Sequence, residues 1–490
     1  MTHQINDLAA TAAPARGNLP GPRRARPAEE AEVRLSEVVS ALSYACDITE
    51  GQPPGHAVRS CAIAMRLGQV LHLCDGEQSA LYYALLLKDL GCSSNAARLA
   101  RLFQADDLAL KRVHKLTDWS RGPDSACYAY RQSMPGHGAL SRAWHALVLG
   151  VTEHGSGREM TQTRCERGAE IARMLGVEPA TAEAIRALDE HWDGAGLPYG
   201  AHGDDIPLLG RIAGLAQTVE VFSAAFGKDA ALEVARARRG TWFDPGLVQA
   251  LESFEHDQAF WDLLRGTDQL EYIRGLEPAD RVLLADETRL DQVAVAFARV
   301  IDAKSPYTAL HSHGVAAIAV AIGEGMHCGP EDLVTLRRAG LLHDIGKLSV
   351  SNLILDKPGR LTEGEMIVMR RHTAHTLEIL RRVRRFQAFA DLAAAHHERL
   401  DGSGYHLGIE GGQLPPLARI LAVADICEAL TAERPYRRAM SRDEVLAVMR
   451  TQVGTGLCPV AFEVLESLEE FIPGRISGPV AAVTEAGAPA

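Results

Sequence analysis

The chain has 490 residues, which is too long for one ordinary hydrophobic core and predicts two domains with tails. Hydrophobic residues make up 47% of the sequence and charged residues 23%, close to globular averages. The net charge of −12 argues against a general affinity for nucleic acid, because an acidic protein repels a phosphate backbone, so an anionic ligand would need a local site.

The chain begins with residues 1–30, a stretch rich in Ala, Pro, Gly and Arg that we expect to be a disordered tail, as we do residues 474–490. Between the tails, apolar residues recur at helical spacing and alternating strand patterns are scarce. Segments rich in Ala and Leu, such as residues 315–322 and 417–424, are separated by Gly and Pro. The pattern predicts an all-α protein.

No part of the sequence indicates export or a membrane. The N-terminal stretch has no continuous apolar run that would form a signal peptide. No apolar segment approaches the ~20 residues that span a bilayer. The nine Cys include no CxxC pair and are typical of thiols in a reducing compartment. We therefore expect a cytoplasmic protein that contacts neither membrane nor nucleic acid.

The chain repeats itself. Residues 190–198 resemble residues 398–406, at an offset of 208. Nearer the start of each half, residues 87–91 resemble residues 342–346, at an offset of 255 that also pairs His56 with His311. Several matches in the same order at only two offsets indicate two copies of one helical domain.

The two offsets also set the predicted boundaries. The first copy is assigned to residues 31–256 and the second to residues 286–473, with residues 257–285 as a linker. Because the offsets differ by 47, the first copy carries an extra segment of that length, at about residues 98–157.

The second copy holds five His and two Asp, each next to apolar helical sequence. A buried carboxylate or imidazolium without a partner is costly, and coordinating a metal removes that cost. Imidazole with carboxylate favours Fe, Mn or Zn, and seven ligands are too many for one tetrahedral site. Two ions bridged by one carboxylate fit best. The candidate ligands are His311, His343, Asp344, His372, His396, His397 and Asp425, with Asp344 as the expected bridge.

These residues stand in motifs that resemble the HD superfamily, and within it the HD-GYP group. The resemblance covers most of residues 305–459. The HDxGK element is read at residues 343–347, the HHExxDGxGYP element at residues 396–406, and the DxxxAL…RPYR stretch at residues 425–437. These motifs are long and jointly very specific.

The resemblance implies a phosphodiesterase that hydrolyses cyclic di-GMP, a bacterial second messenger, to pGpG or GMP. It implies that the seven candidates bind two divalent metal ions, Fe or Mn, and that Asp344 and Lys347 are catalytic. Lys347 would neutralise the scissile phosphate, and Glu428 would orient Lys347 or a metal ligand. Further substrate contacts are expected from Asp401, Gly404, Tyr405, Arg434 and Arg437, where the Arg fork suits phosphate.

The sequence departs from the family pattern at two places. The motif that gives the group its name reads Gly404-Tyr405-His406, so a titratable ring replaces Pro and its constraint on the turn. Tyr307 stands where some relatives place an additional Glu ligand, which favours two metal ions over three.

The first copy keeps only His56 and Asp89 of the ligand set. At the two offsets, Lys88 replaces His343, Arg164 replaces His372, Leu188 and Asp189 replace His396 and His397, and Gln217 replaces Asp425. Positive side chains where metal ions would lie predict a degenerate HD domain. We expect it to have a structural, dimerising or ligand-sensing role.

Two alternatives to cyclic di-GMP hydrolysis stay open. The second half could hydrolyse another nucleotide, since the sequence does not fix the base. The chain could instead be a receptor or scaffold that binds a cyclic dinucleotide without turnover. A homodimer, or another partner bound through the N-terminal domain, is a further expectation.

Overall fold

The computed structural model describes residues 33–468 apart from residues 120, 154, 309 and 434–436. Both predicted tails lie outside the described residues. The apolar periodicity of the first half forms helices, listed here in chain order: α1 (Leu35–Thr49), α2 (His56–Val70), α3 (Asp75–Leu87), α4 (Ala96–Phe103), α5 (Asp107–Leu116), α6 (Gly122–Gln132), α7 (Ala139–Thr152), α8 (Ser156–Met174), α9 (Pro179–Ala187), α10 (Leu208–Phe226), α11 (Lys228–Ala237) and α12 (Pro245–Glu252).

The rest of the chain continues in the same way, and the all-α prediction is confirmed. Within the described ranges, pairing between extended residues is limited to isolated bridges. The remaining helices are α13 (Gln258–Arg265), α14 (Gln269–Arg274), α15 (Glu287–Asp302), α16 (His311–Gly325), α17 (Pro330–Leu342), α18 (Asn352–Leu355), α19 (Glu363–Arg381), α20 (Gln387–Ala394), α21 (Pro416–Thr431), α22 (Arg442–Arg450) and α23 (Pro459–Ser467).

The segment predicted as a linker, residues 257–285, is part of the core. It carries α13 and α14, and the side chains of Phe260 and Trp261 are buried. These apolar side chains lie on one short helix and remove their surface from water by packing inward. The segment also pairs with the start of the chain, where the Leu35 N–H donates to the Leu283 carbonyl at 2.7 Å.

One hydrophobic core contains residues from both predicted domains, and the described residues from Val33 onward form a single unit. Tyr44 of α1 illustrates the connection, because its hydroxyl donates to Glu378 of α19 at 2.8 Å. The Arg382 guanidinium lies 3.7 Å from the same ring. The division into two domains stays a prediction.

Two contacts recur at the offsets of 208 and 255 found in the sequence. The Glu190 carboxylate accepts from the backbone N–H groups of residues 199, 200 and 201. The Glu398 carboxylate accepts in the same way from residues 407, 408 and 409. Likewise, His56 contacts Glu220 and His311 contacts Glu428. These repeated contacts support the duplication.

The extra segment forms α4 to α7, and α7 packs least. No side chain of α7 is buried, and Leu140 and Trp144 are 88% and 69% exposed. The expectation that this segment meets a partner stays a prediction. No helix among the described residues is both long and apolar enough to cross a bilayer.

Candidate metal centre

The seven candidate ligands come from separate elements that meet at one point of the C-terminal half. His311 begins α16, His343 caps the end of α17, and His372 lies in the middle of α19. Asp344 precedes a 3-10 turn (Ile345–Ser349), and Asp425 lies within α21. His396 and His397 follow α20. All but His397 are buried, because their helices turn apolar faces inward around them.

Asp344 lies between two groups of imidazoles. Its Oδ2 atom is 3.4 Å from Nε2 of His311 and 3.3 Å from Nε2 of His343. Its Oδ1 atom is 3.5 Å from Nε2 of His372 and 3.6 Å from Nε2 of His396. Each carboxylate oxygen therefore faces a different pair of His side chains.

Asp425 closes the cluster from the other side. Its Oδ1 atom is 3.5 Å from Nε2 of His311 and 3.7 Å from Nε2 of His343, and its Oδ2 atom is 3.7 Å from Nδ1 of His397. Donor atoms about 2.1 Å from one tetrahedral ion lie roughly 3.4 Å apart, so this spacing suits shared ions. One ion fits among His311, His343 and Asp425, and another among His372, His396 and His397.

The hydrogen bonds of the imidazole rings are made by Nδ1 and leave the Nε2 atoms to face the centre of the cluster. The Nδ1 atoms of His343, His372 and His396 each lie within 2.8 Å of the backbone carbonyl three residues earlier. Nδ1–H donation to a carbonyl places the lone pair on Nε2, which faces the centre. The Nε2 atoms of His311 and His343 and the Oδ1 atom of Asp344 are buried without a hydrogen-bond partner. The residues therefore fit a metal centre.

The charges of the site favour cations. Burial lowers the pKa of His372 to about 3 and that of His397 to about 4, which keeps both rings neutral, as metal ligands must be. Burial opposes a charge on His343, but Asp344 and Asp425 raise its pKa to about 10. Burial also opposes ionisation of Asp344, yet His343 and Lys347 hold its pKa well below its usual range. The two carboxylates thus attract positive charge to this point.

Lys347 and Glu428 have distinct partners. The Lys347 ammonium lies 2.5 Å from Oδ2 of Asp344, and its side chain is 17% exposed. Glu428 is buried and contacts Nδ1 of His311. Of the two roles expected for Glu428, the geometry supports orientation of a ligand rather than of Lys347.

A cavity of about 270 Å³ opens beside the cluster, lined in part by His396, His397, Gly404 and Tyr405. The Tyr405 ring lies 4.7 Å from the His397 ring. Gly404 has no room for a side chain, because a Cβ would lie 2.5 Å from Cα of Glu398. The cavity therefore adjoins the metal ligands and offers a ring on which a planar group can stack.

Two Arg side chains at this cavity are not among the substrate contacts predicted from the sequence. Arg370 and Arg399 line it, and the Arg370 guanidinium lies 5.2 Å from the centre of the Tyr405 ring. Arg370 lies two residues before His372, and Arg399 lies two residues after His397. This closeness to a predicted metal ligand could have indicated a role at the site. It is a weak signal, because Arg is common on helix surfaces.

Other predicted substrate contacts lie elsewhere. Asp401 is exposed and accepts from the backbone N–H and the hydroxyl of Ser403, so it shapes a turn. Arg437 donates to the carbonyls of Ala429 and Leu430 at the end of α21. Neither residue lines the cavity. Arg434 lies outside the described residues.

His406 adopts a backbone conformation that Pro cannot reach. Its φ is 112°, whereas the Pro ring fixes φ near −65°. The replacement of Pro in the Gly-Tyr-Pro motif therefore accompanies a different turn, as well as a different side chain.

In the N-terminal half, ammonium and guanidinium groups lie where metal ions would be expected. The Lys115 ammonium is 3.1 Å from Glu50, 3.2 Å from Asp89 and 3.3 Å from Gln217. Lys88 also pairs with Asp89, and Arg164 pairs with Asp189. Lys115 belongs to the extra segment and has no counterpart in the second copy, so the offsets could not reveal it.

The space that corresponds to the cavity is also filled in this half. The bridges Arg239–Phe243 and Val453–Leu457 are equivalent in the two copies, so Trp242 occupies the position that corresponds to Gly456. Gly456 lines the cavity, whereas the Trp242 ring stacks on His191 at 4.1 Å. The N-terminal half therefore lacks both the ligand set and the open space beside it.

Gly346→Ala is expected to disrupt the metal centre. A Cβ at this position would lie 1.9 Å from the carbonyl oxygen of His372, so α19 must move and carry its imidazole away. We expect metal content, measured by plasma mass spectrometry, to fall together with activity. Gly364→Ala is the matched control, because a Cβ there meets nothing within 4 Å. Full metal occupancy in Gly346→Ala would contradict the assigned packing.

Known proteins resemble this chain over most of its length. The model of the HD domain family matches residues 154–247 and 295–457. The 3'3'-cGAMP-specific phosphodiesterase 3 of Vibrio cholerae is 42% identical over 444 residues, which cover 90% of this chain and 95% of the relative. The cyclic di-GMP phosphodiesterase response regulator RpfG of Xanthomonas campestris is 38% identical over 170 residues, covering 34% of this chain and 45% of the relative.

A solved structure is similar over almost the same length. The crystal structure of the cyclic GMP-AMP specific phosphodiesterase V-cGAP3 of Vibrio cholerae has a TM-score of 0.61 and 38% sequence identity. The match covers 89% of this chain and 97% of that chain.

Proposed function

Because the chain belongs to the HD-domain family and is a metal-dependent phosphodiesterase, we propose that its C-terminal half hydrolyses 3'3'-cGAMP to a linear dinucleotide. The observation that carries this proposal is the cluster of seven candidate ligand side chains, Asp344 among them, beside a cavity with two Arg and one Tyr. The receptor alternative is set aside because the relatives are named phosphodiesterases.

We propose 3'3'-cGAMP as the substrate in place of the cyclic di-GMP that the motifs led us to expect. The relative that covers 90% of the chain is named for 3'3'-cGAMP, whereas RpfG covers 34%. The HD-GYP motifs supply residues around the metal centre and the scissile phosphate. Both substrates contain such a phosphate and would use the same metal centre. The motifs carry no information on which purine bases are bound.

Two divalent ions would be held by the two groups of ligands, with Asp344 and Asp425 facing both groups. Imidazole and carboxylate donors favour Fe or Mn for this centre. When bound, such ions supply Lewis-acid stabilisation of phosphoryl oxygens and activation of water. The backbone carbonyls and Glu428 hold the imidazoles in the orientation that coordination needs.

The protein's own side chains complete the site. Lys347, beside Asp344, is placed to neutralise a non-bridging oxygen of the scissile phosphate. Arg370 and Arg399 are placed to bind the second phosphate of a cyclic dinucleotide, because a guanidinium contacts phosphate through two donors. Tyr405, next to His397, offers its ring to a purine base.

Turnover of a substrate panel tests the proposal. Protein loaded anaerobically with Mn or Fe is incubated with 3'3'-cGAMP, cyclic di-GMP or cyclic di-AMP, and products are resolved by chromatography. We expect kcat/KM for 3'3'-cGAMP to exceed that for the other two by about tenfold or more, since a site that pairs with one base leaves polar groups unpaired with another.

The possible outcomes distinguish an error in the assigned substrate from an error in the proposed activity. Equal or faster turnover of cyclic di-GMP would overturn the substrate assignment and leave the catalytic centre standing. Absence of a linear product from all three nucleotides, in protein that has bound metal, would overturn the proposed cyclic dinucleotide activity itself.

A further inference from the structure

A second cavity, of about 590 Å³, lies in the N-terminal half. It forms between the extra segment and helices α10 and α11, and shares no lining residue with the cavity at the metal centre. Its volume is within the range of small-molecule sites in proteins. Residues that line it include Leu116, Arg121, Arg131, Phe222, Val234 and Arg238.

Arg238 is the most unusual of these residues. It is 6% exposed, and its guanidinium lies 3.9 Å from the centre of the Trp242 ring and 5.4 Å from that of Phe222. Asp118 is 3.8 Å from its Nε atom, which is longer than a hydrogen bond, and its Nη1 atom has no hydrogen-bond partner. A buried donor without an acceptor is costly, and an anionic ligand would supply one.

The charged side chains that line the cavity have a positive excess of one only when Arg238 is included. Arg121 and Arg131 add two positive charges at the cavity, and Asp118 and Asp124 add two negative ones. With Arg238, the lining is positive by one charge, in a chain whose net charge is −12. A local positive site in an acidic protein attracts small anions that the rest of the surface repels.

The cavity also has apolar lining residues. Val113 and Leu116 come from α5, Phe222 from α10 and Val234 from α11. An aromatic ring and aliphatic side chains suit a planar ring, while a guanidinium suits the two oxygens of a phosphate. We propose that this cavity binds a small anion with a planar ring, of the class of nucleoside monophosphates, with its phosphate at Arg238.

Helix α5 connects this cavity to the catalytic half. Asp107, at its first turn, is fully buried and accepts from the Lys304 ammonium at 3.2 Å and from the Asn352 N–H at 2.8 Å. Lys304 precedes the His311 ligand by seven residues, and Asn352 follows Lys347 by five. A ligand that packs on Leu116 therefore touches a helix that also holds the loops of the metal centre. If the proposed function holds, hydrolysis of the remaining phosphodiester of the linear dinucleotide would give nucleoside monophosphates, the class that this cavity would bind.

Cysteine protection tests the binding site directly. Cys127 is exposed and lines the cavity, whereas Cys74, immediately before α3, is exposed and does not line it. Full-length protein is alkylated with iodoacetamide in the presence of GMP, AMP, adenosine or inorganic phosphate, and each thiol is quantified by peptide mass spectrometry. At about ten times the Kd, GMP or AMP should slow alkylation of Cys127 about tenfold and leave Cys74 unchanged. Adenosine lacks the anion and phosphate lacks the ring, so neither should protect Cys127.

Variants identify the anion contact. Arg238→Gln should abolish the protection, and Arg131→Gln, at a more exposed position, should weaken it if the buried substitution does not fold. Arg101→Gln is the control, because Arg101 is exposed on α4 and does not line the cavity. Unchanged protection in the folded Arg238 or Arg131 variant, equal protection of Cys74, equal protection by phosphate alone, or no protection by GMP and AMP would each overturn the proposal.

Discussion

Replacing Asp344 with Asn is expected to remove both metal ions and to lower kcat by about three orders of magnitude, equivalent to about 4 kcal/mol of transition-state stabilisation. The two oxygens of Asp344 face different pairs of imidazoles. Asn keeps one oxygen and replaces the other with an amide NH₂, which cannot coordinate a cation. Metal content by plasma mass spectrometry and product formation by chromatography measure both effects.

The matched control is Asp332→Asn, which changes an exposed carboxylate in the first turn of the helix that leads to Asp344. It should keep the metal content and turnover of the natural protein. An Asp344→Asn variant with both ions and near-normal turnover would show that the two groups of ligands do not share this carboxylate.

Lys115→Met is expected to destabilise the protein by about 3 kcal/mol, because a buried carboxylate that loses its cation is costly. Glu50 and Asp89 are each 4% exposed at their side chains, and the Lys115 ammonium lies between them. Burial opposes its charge, yet Asp89 and Glu50 raise the pKa of Lys115. Lys88 still pairs with Asp89 in the variant, so the expected loss is at the lower end for a broken buried pair.

The change is measured as a shift of the denaturation midpoint in urea. Arg112→Met is the control on the same helix, since Arg112 is exposed and donates to the carbonyl of Gly51. Its cost should be about 1 kcal/mol or less. Equal midpoints for Lys115→Met and the natural protein would contradict the role of this ammonium as a replacement for metal.

The metal ligands were the most predictable part of the molecule. Their residue types are rare next to apolar helical sequence, so a physical reason was needed at each position. The structure gathers all seven, and places Asp344 between the two groups, where the sequence expected a bridge. Their role as ligands stays a prediction.

Other features had no comparable signal. Lys115 comes from an insertion, so no alignment between the copies could place it in the degenerate site. Arg437 was assigned to phosphate because Arg suits that role, but the same donors also cap a helix end, as they do on α21. The repeat boundaries predict a linker at residues 257–285 because this stretch lies between the two copies, and the offsets carry no information on how its helices pack.

The most direct test is an anomalous diffraction map of crystals of the full-length protein loaded with Mn or Fe, recorded at the absorption edge of that metal. The account predicts two peaks in each chain, one among His311, His343 and Asp425 and the other among His372, His396 and His397, with Asp344 between them. A single peak, or peaks beside Asp89 in the N-terminal half, would contradict it.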